Sequence, residues 1–280
     1  MNKLKLLDCD PADHLDLIVG SKRGANRRAL DAALSRIARR YRHFEDRYTV
    51  NTLASVRAAS WSDDEEAALL HCYNSEVEAL TELKRLIKEA QPLAIRSICP
   101  YCGIGDPVQF DHYVPKSRFP EFAVHAYNLV PCCGPCNGLK SETWLVGGAR
   151  AFVNFYLDSL PTASMLETTV SWRTYRNELV PSMSFKLVRP RHFGVSRFSL
   201  IERHFERLDL LERYSSQAPS EMFQFLDSSR MADATTRTKM KASLQRYIDR
   251  REERLGPLHW KLSLYRALVA DQTFLDMCLA

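Results

Sequence analysis

Two C-x-x-C pairs, Cys99-Pro-Tyr-Cys102 and Cys133-Gly-Pro-Cys136, stand close together in a chain of 280 residues. Each can form a tight turn that aims two thiolates at one ion, so four sulfurs predict a tetrahedral structural zinc. Such a site is closed and does no catalysis itself. Cys132 rivals Cys133 but breaks the x-x spacing, and is read as a packed thiol; Cys9, Cys72 and Cys278 are scattered. In a reducing cytosol, paired knuckles indicate metal rather than disulfides. The chemistry must therefore come from the polar residues around them. These are Asp111-His112-Tyr113-Val114-Pro115-Lys116-Ser117, then Asn128-Leu129-Val130-Pro131, then Asn137-Gly138-Leu139-Lys140-Ser141-Glu142.

The elements that position these groups follow from the apolar residues among them. Val108 and Phe110 precede Asp111, and Leu129 and Val130 follow Asn128, which predicts two short strands forming a hairpin. The second strand feeds through the knuckle into a helix starting near Asn137, giving a ββα arrangement. An isolated Asp-His pair is ordinarily a turn with a satisfied histidine; here it sits inside a larger pattern. In order and type, C-x-x-C, D-H-x-x-P-x-S, N-L and C-x-x-C-N-x-x-K, the segment resembles the HNH, or His-Me finger, endonucleases in their zinc-stapled form. The third letter is Asn137 rather than His, as in many members of that family.

The resemblance implies a role for each residue, and phosphodiester hydrolysis needs those roles: an activated water, a cation on the scissile phosphate and charge relief for the leaving oxygen. His112 would be the general base, with Asn128 or its backbone carbonyl orienting the ring. Asp111 and Asn137 would supply oxygens to one Mg2+ or Mn2+. Lys140 would face the same phosphate, helped by the dipole of the helix N-terminus. Lys116 and Arg118 would grip the flanking DNA backbone. The implied substrate is double-stranded DNA, nicked or cut with little sequence readout. RNA, or a non-enzymatic zinc module that binds nucleic acid or protein, are the competing readings. By analogy alone, the setting would be an effector of prokaryotic anti-phage defence with separately encoded protein partners.

The flanks read as mainly α-helical, so the fold class is mainly α with a small embedded ββα-metal module stapled by zinc. The expected divisions are a helical region over 1–95, the module over 96–147 and a mostly helical region over 148–280. Residues 21–48 space Leu30, Ala33, Leu34, Ile37 and Tyr41 along a basic amphipathic helix whose arginines are candidates for DNA contact. Ser62 and Glu65 form a capping box that opens a helix running through Leu69, Leu70, Tyr73, Val77, Leu80, Leu83 and Ile87 and ending before Pro92. Residues 148–160 read as helical, with Phe152, Phe155 and Tyr156 covering the module. Residues 168–188 read as a short strand pair or an irregular segment. Helices are expected over 196–214, over 220–228 leading into 235–254, and over 257–278.

A formal charge of +5 permits polyanion binding without requiring it. There is no run of about 18 apolar residues, and the first thirty residues mix acids and Pro where a secretory segment needs apolar ones, so a cytoplasmic protein without a membrane partner is expected.

Overall fold

Hydrophobic spacing sets most of the helices, and polar side chains set where they stop. The computed structural model describes residues 2–231 and 234–280, and among these no helix is long and apolar enough to cross a membrane. The chain divides into two compact units, Lys3–Ser159 and Leu160–Ala280, with Asn2 counted to the second. The boundary expected near 148 thus lies later, because Ala151, Phe152, Val153 and Phe155 are buried in the first unit.

In the first unit, Asp10 caps α1 (Pro11–Gly20) through the Ala12 amide, and α2 (Gly24–Thr49) buries Leu30, Ala33, Ile37, Tyr41, Phe44 and Tyr48. The capping box at Ser62 and Glu65 opens α3 (Asp63–Asn74) as the sequence predicts. The single long helix expected from there does not form. Ser75 is extended, and α4 (Glu78–Glu89) starts afresh. Two side-chain hydrogen bonds meet at the break. The Ser75 hydroxyl donates to the His71 carbonyl, and the buried Lys22 ammonium of the α1–α2 turn reaches Ser75 Oγ. The short α5 (Leu93–Arg96) leads into the knuckles.

Strands β1 (Gln109–His112) and β2 (Leu129–Cys132) pair antiparallel, with Asp111 opposite Val130 and His112 opposite Leu129. α6 (Gly134–Lys140) follows directly, so the ββα order holds. It starts at Gly134 rather than near Asn137 because Cys133 is its cap and Pro135 fits the first turn. A small hairpin of β3 (Leu145–Val146) and β4 (Ala149–Arg150) turns on Gly147 and Gly148, both at positive φ.

Residues 151–159 are not helical. The Asp158 carboxylate accepts from the Asn154 amide at 2.8 Å and from Arg150 Nη2 at 2.7 Å, fixing an irregular turn. That turn still buries Phe152, Phe155 and Tyr156, as expected of these aromatics.

The second unit opens with β5 (Leu166–Tyr175) and β6 (Glu178–Leu187), a hairpin longer and more regular than the sequence suggests. Its two-residue turn has Arg176 and Asn177 at φ 50° and 65°, matching the twist of the strands. Pro181 is tolerated because a two-stranded sheet leaves one edge of each strand unpaired. Helices α7 (Val195–Arg207), α8 (Leu210–Arg230), α9 (Arg237–Leu255), α10 (Trp260–Ala270) and α11 (Gln272–Leu279) complete it. Tyr214 and Trp260 stack at 5.4 Å, and Phe225 lies against Tyr265 and Phe274.

Candidate functional site

Four sulfurs converge as the spacing requires. The ligand atoms of Cys99, Cys102, Cys133 and Cys136 all lie within 4.8 Å of one another, and all four residues are buried. The Cys102 and Cys133 sulfurs are 3.7 Å apart. Two ligands at a Zn–S distance of about 2.3 Å on a tetrahedron would be separated by about 3.8 Å. The donor set therefore fits a structural zinc. The first knuckle closes through Gly103, at φ 69°, whose amide donates to the Cys99 carbonyl at 2.8 Å. Backbone amides also point at sulfur: Ile104 N–H at Cys102 (3.4 Å) and Cys133 N–H at Cys99 (3.3 Å), which offsets thiolate charge. Gly105 allows the knuckles to approach, since a Cβ there would sit 3.0 Å from that of Cys133. Cys132 is buried on β2 outside the four, as expected.

Successive strand residues face opposite ways, and β1 uses both. His112 turns toward residues 113–128: its Nε2 lies 2.9 Å from the Ala123 carbonyl. A carbonyl only accepts, so Nε2 carries the hydrogen and Nδ1 the lone pair. Burial, reinforced by the positive charges of Lys116, Lys140 and Lys84, pushes the His112 pKa down to about 3, so the ring is neutral near pH 7.

Asn128 does not orient the ring. Its amide pairs with the backbone of Val114, accepting from N–H at 2.8 Å and donating to C=O at 3.1 Å, and also donates to the Phe122 carbonyl at 3.0 Å. Tyr113 N–H donates to its backbone carbonyl at 2.9 Å. Asn128 thus closes the loop, and the loop brings Ala123 to His112.

Asp111 turns toward α6 and the first knuckle. One carboxylate oxygen accepts from the Tyr101 hydroxyl at 2.6 Å, the other from Lys140 Nζ at 2.9 Å. Burial and the Asp111 charge keep the Tyr101 phenol protonated. Lys140 is fully buried and also donates to the His112 carbonyl at 2.8 Å. This corrects the expectation that it faces a phosphate: with α6 starting at Gly134, Lys140 falls at its C-terminal end and folds back onto β1. The N-terminus of α6 lies at the second knuckle, with Cys133 as its cap. Asn137 donates from Nδ2 to Gln109 Oε1 at 2.8 Å, leaving Oδ1 without a hydrogen bond among the described residues.

Asp111, His112, Asn137 and Lys116 line one cleft of about 980 Å³ within the first unit. Arg118 is exposed and does not line it; its guanidinium lies 5.7 Å from the Phe119 ring. The cleft's other wall was not anticipated. It comes from the α3–α4 break and carries Tyr73, Asn74, Lys84 and Lys88. Tyr73 meets the His112 ring edge-on at 4.3 Å, and Asn74 accepts from Lys116 Nζ at 2.7 Å. In sequence, Tyr73 reads as one more apolar helix position; only the break at Ser75 turns it to the site. Tyr101 was legible only as a spacer between two cysteines.

No family model matches the chain, and no solved structure matches it. It is similar to the protein ea31 of Escherichia phage lambda, 26% identical over 191 residues, an alignment covering 63% of this chain and 62% of that protein. The chain thus matches less than two thirds of its relative's length.

Proposed function

We propose that residues 99–142 are the catalytic module of a metal-dependent HNH endonuclease that hydrolyses DNA phosphodiester bonds with little sequence readout. One observation carries the reading: a ββα unit beside a four-sulfur site presents a neutral histidine, a carboxylate and an amide oxygen to a single cleft bordered by lysines. The His112 Nδ1 lone pair would take the proton of the attacking water, while Ala123 holds the ring and Tyr73 limits its swing. Asp111 and Asn137 would hold Mg2+ or Mn2+. This oxygen donor set fits a hard ion that keeps most of its waters, because each Asp111 oxygen has a further lone pair and Asn137 Oδ1 is uncommitted. Such an ion supplies charge neutralisation at the phosphate and the leaving oxygen. Lys116 would contact the backbone beside it. Lys140 acts by fixing Asp111.

Both oxygens of Asp111 already take donors, which also suits a non-enzymatic zinc module that binds nucleic acid. Supercoiled plasmid incubated with wild-type and His112→Ala protein, with Mg2+ or Mn2+, decides between them. The nuclease reading expects metal-dependent nicked or linear product, lost in His112→Ala by a factor of about 10²–10⁴. Equal cleavage by the variant would sink the mechanism. DNA binding without cleavage under any divalent metal would favour the module. The relative is phage-encoded, which suits a nuclease carried by a mobile element as well as one used in anti-phage defence.

A further inference from the structure

The basic helix in which the sequence placed DNA contact, α2, spends much of its charge internally. Arg27 pairs with Asp31 at 2.8 Å, Arg36 with Glu65 at 2.6 Å and Arg40 with Glu121 at 2.7 Å. The opposite holds on α4. Lys84 and Lys88, one turn apart on a single face, both line the cleft, while Leu80, Leu83 and Ile87 are buried. Between them, Arg85 is neutralised by Glu82 and Glu89. Lys84 Nζ instead lies 4.3 Å from the centre of the Tyr73 ring and Lys88 Nζ 5.4 Å from that of Phe110. Lys116 Nζ approaches Tyr73 from 4.7 Å. An ammonium over a ring is held in place yet keeps N–H donors for an anion.

The geometry points to α4 as the DNA-gripping wall of the site. We propose that Lys84 and Lys88, facing Lys116 across the cleft, clamp the phosphate backbone of duplex DNA over His112. This rests on the nuclease reading and names the substrate contact it needs. Two features favour backbone contact on a duplex. Lys84 and Lys88 offer point charges, which meet phosphates rather than read base edges, and the Asn74 amide oxygen is taken by Lys116. The Tyr73 ring is already occupied by two ammonium groups and the His112 edge, so it presents no open face on which an unpaired base would stack. Most acids near this wall are already paired, Asp111 with Lys140 and Glu82 and Glu89 with Arg85; Glu142 also lines the cleft, and Glu76 lies close enough to raise the Lys84 pKa against the effect of burial.

The test uses the full, zinc-loaded chain. Binding of a labelled short DNA duplex is followed by fluorescence anisotropy across a salt series without added divalent metal, for wild type, the Lys84→Gln/Lys88→Gln double variant and a Lys239→Gln/Lys241→Gln control on α9. Each phosphate contact contributes about 0.9 to the slope of log K against log salt, equivalent to about fivefold in affinity at ~0.15 M salt. The α4 variant is expected to lose about 25-fold and to flatten the slope by about two, with the control unchanged and the loss equal for unrelated duplex sequences. On plasmid, KM should rise while kcat is largely kept. A wild type that cuts DNA together with an α4 variant of unchanged affinity and slope overturns the clamp and leaves the nuclease reading standing. Tighter binding of single strands than of duplex overturns the duplex assignment. A wild type that neither binds nor cuts DNA overturns both.

Discussion

The two larger hairpins of this protein are built on opposite principles. β5–β6 runs ten residues per strand and turns in two, so each ladder bond lies close to its partner along the chain. β1–β2 runs four residues per strand and must close over residues 113–128. The first is largely self-sufficient in backbone pairing, and no candidate catalytic group lies on it. The second would not persist alone, since a two-stranded pair this short is marginal in water. It is held from outside by four sulfurs, by Asn128 and by the Asp111–Lys140–Tyr101 contacts. The comparison teaches that the candidate catalytic groups sit where structure is imposed by side chains from distant segments rather than by backbone pairing.

Breaking the cross-links should separate the two hairpins. The largest effect is expected from zinc removal or from Cys99→Ser or Cys136→Ser: structural zinc sites contribute on the order of 10–16 kcal/mol of apparent binding energy. Limited proteolysis should then cut within residues 99–145 while the β5–β6 unit stays protected. Protection of both would mean that the thiols pack without metal. Next, Lys140→Met should cost about 3–5 kcal/mol in denaturant unfolding, because it leaves the buried Asp111 carboxylate without its cation. If Lys140 instead faced solvent, the change would be near zero. Asn128→Ala removes three side-chain hydrogen bonds to Val114 and Phe122 and should cost about 2–4 kcal/mol, with amide exchange rising across 113–128 before elsewhere. The smallest effect belongs to the longer hairpin: Asn177→Ala removes the polar side chain of a residue held at φ 65°, a loss of about 1 kcal/mol visible only in the second unit.

What the sequence made legible was local. Cysteine spacing located the four-sulfur site, Ser62 and Glu65 located a helix start, and the apolar pairs around Asp111 and Asn128 located the hairpin, since each signal lies within a few residues of what it determines. What escaped was set by distant partners. At the break between α3 and α4, Lys22 meets Ser75 from far along the chain, a contact that continuous helical spacing does not show. The irregular turn at 151–159 depends on Asp158, whose hydrogen bonds overrode the helical pattern of Phe152, Phe155 and Tyr156. Lys140 was expected to face the phosphate from the first turn of a helix starting near Asn137, whereas it ends α6 and is bound to Asp111 and the His112 carbonyl. The lysines of α4 carried no local signal, and nothing short of the fold puts them in one cleft with His112.

Tyr101 carries a last consequence. It is part of the metal knuckle, and its hydroxyl holds the carboxylate assigned to the reaction at 2.6 Å. Assembly of the knuckle therefore helps to place the carboxylate, with Lys140 as its other hold. A freshly synthesised chain that has not yet acquired its zinc would hold Asp111 through Lys140 alone. On the nuclease reading proposed above, metal loading would then set when activity appears.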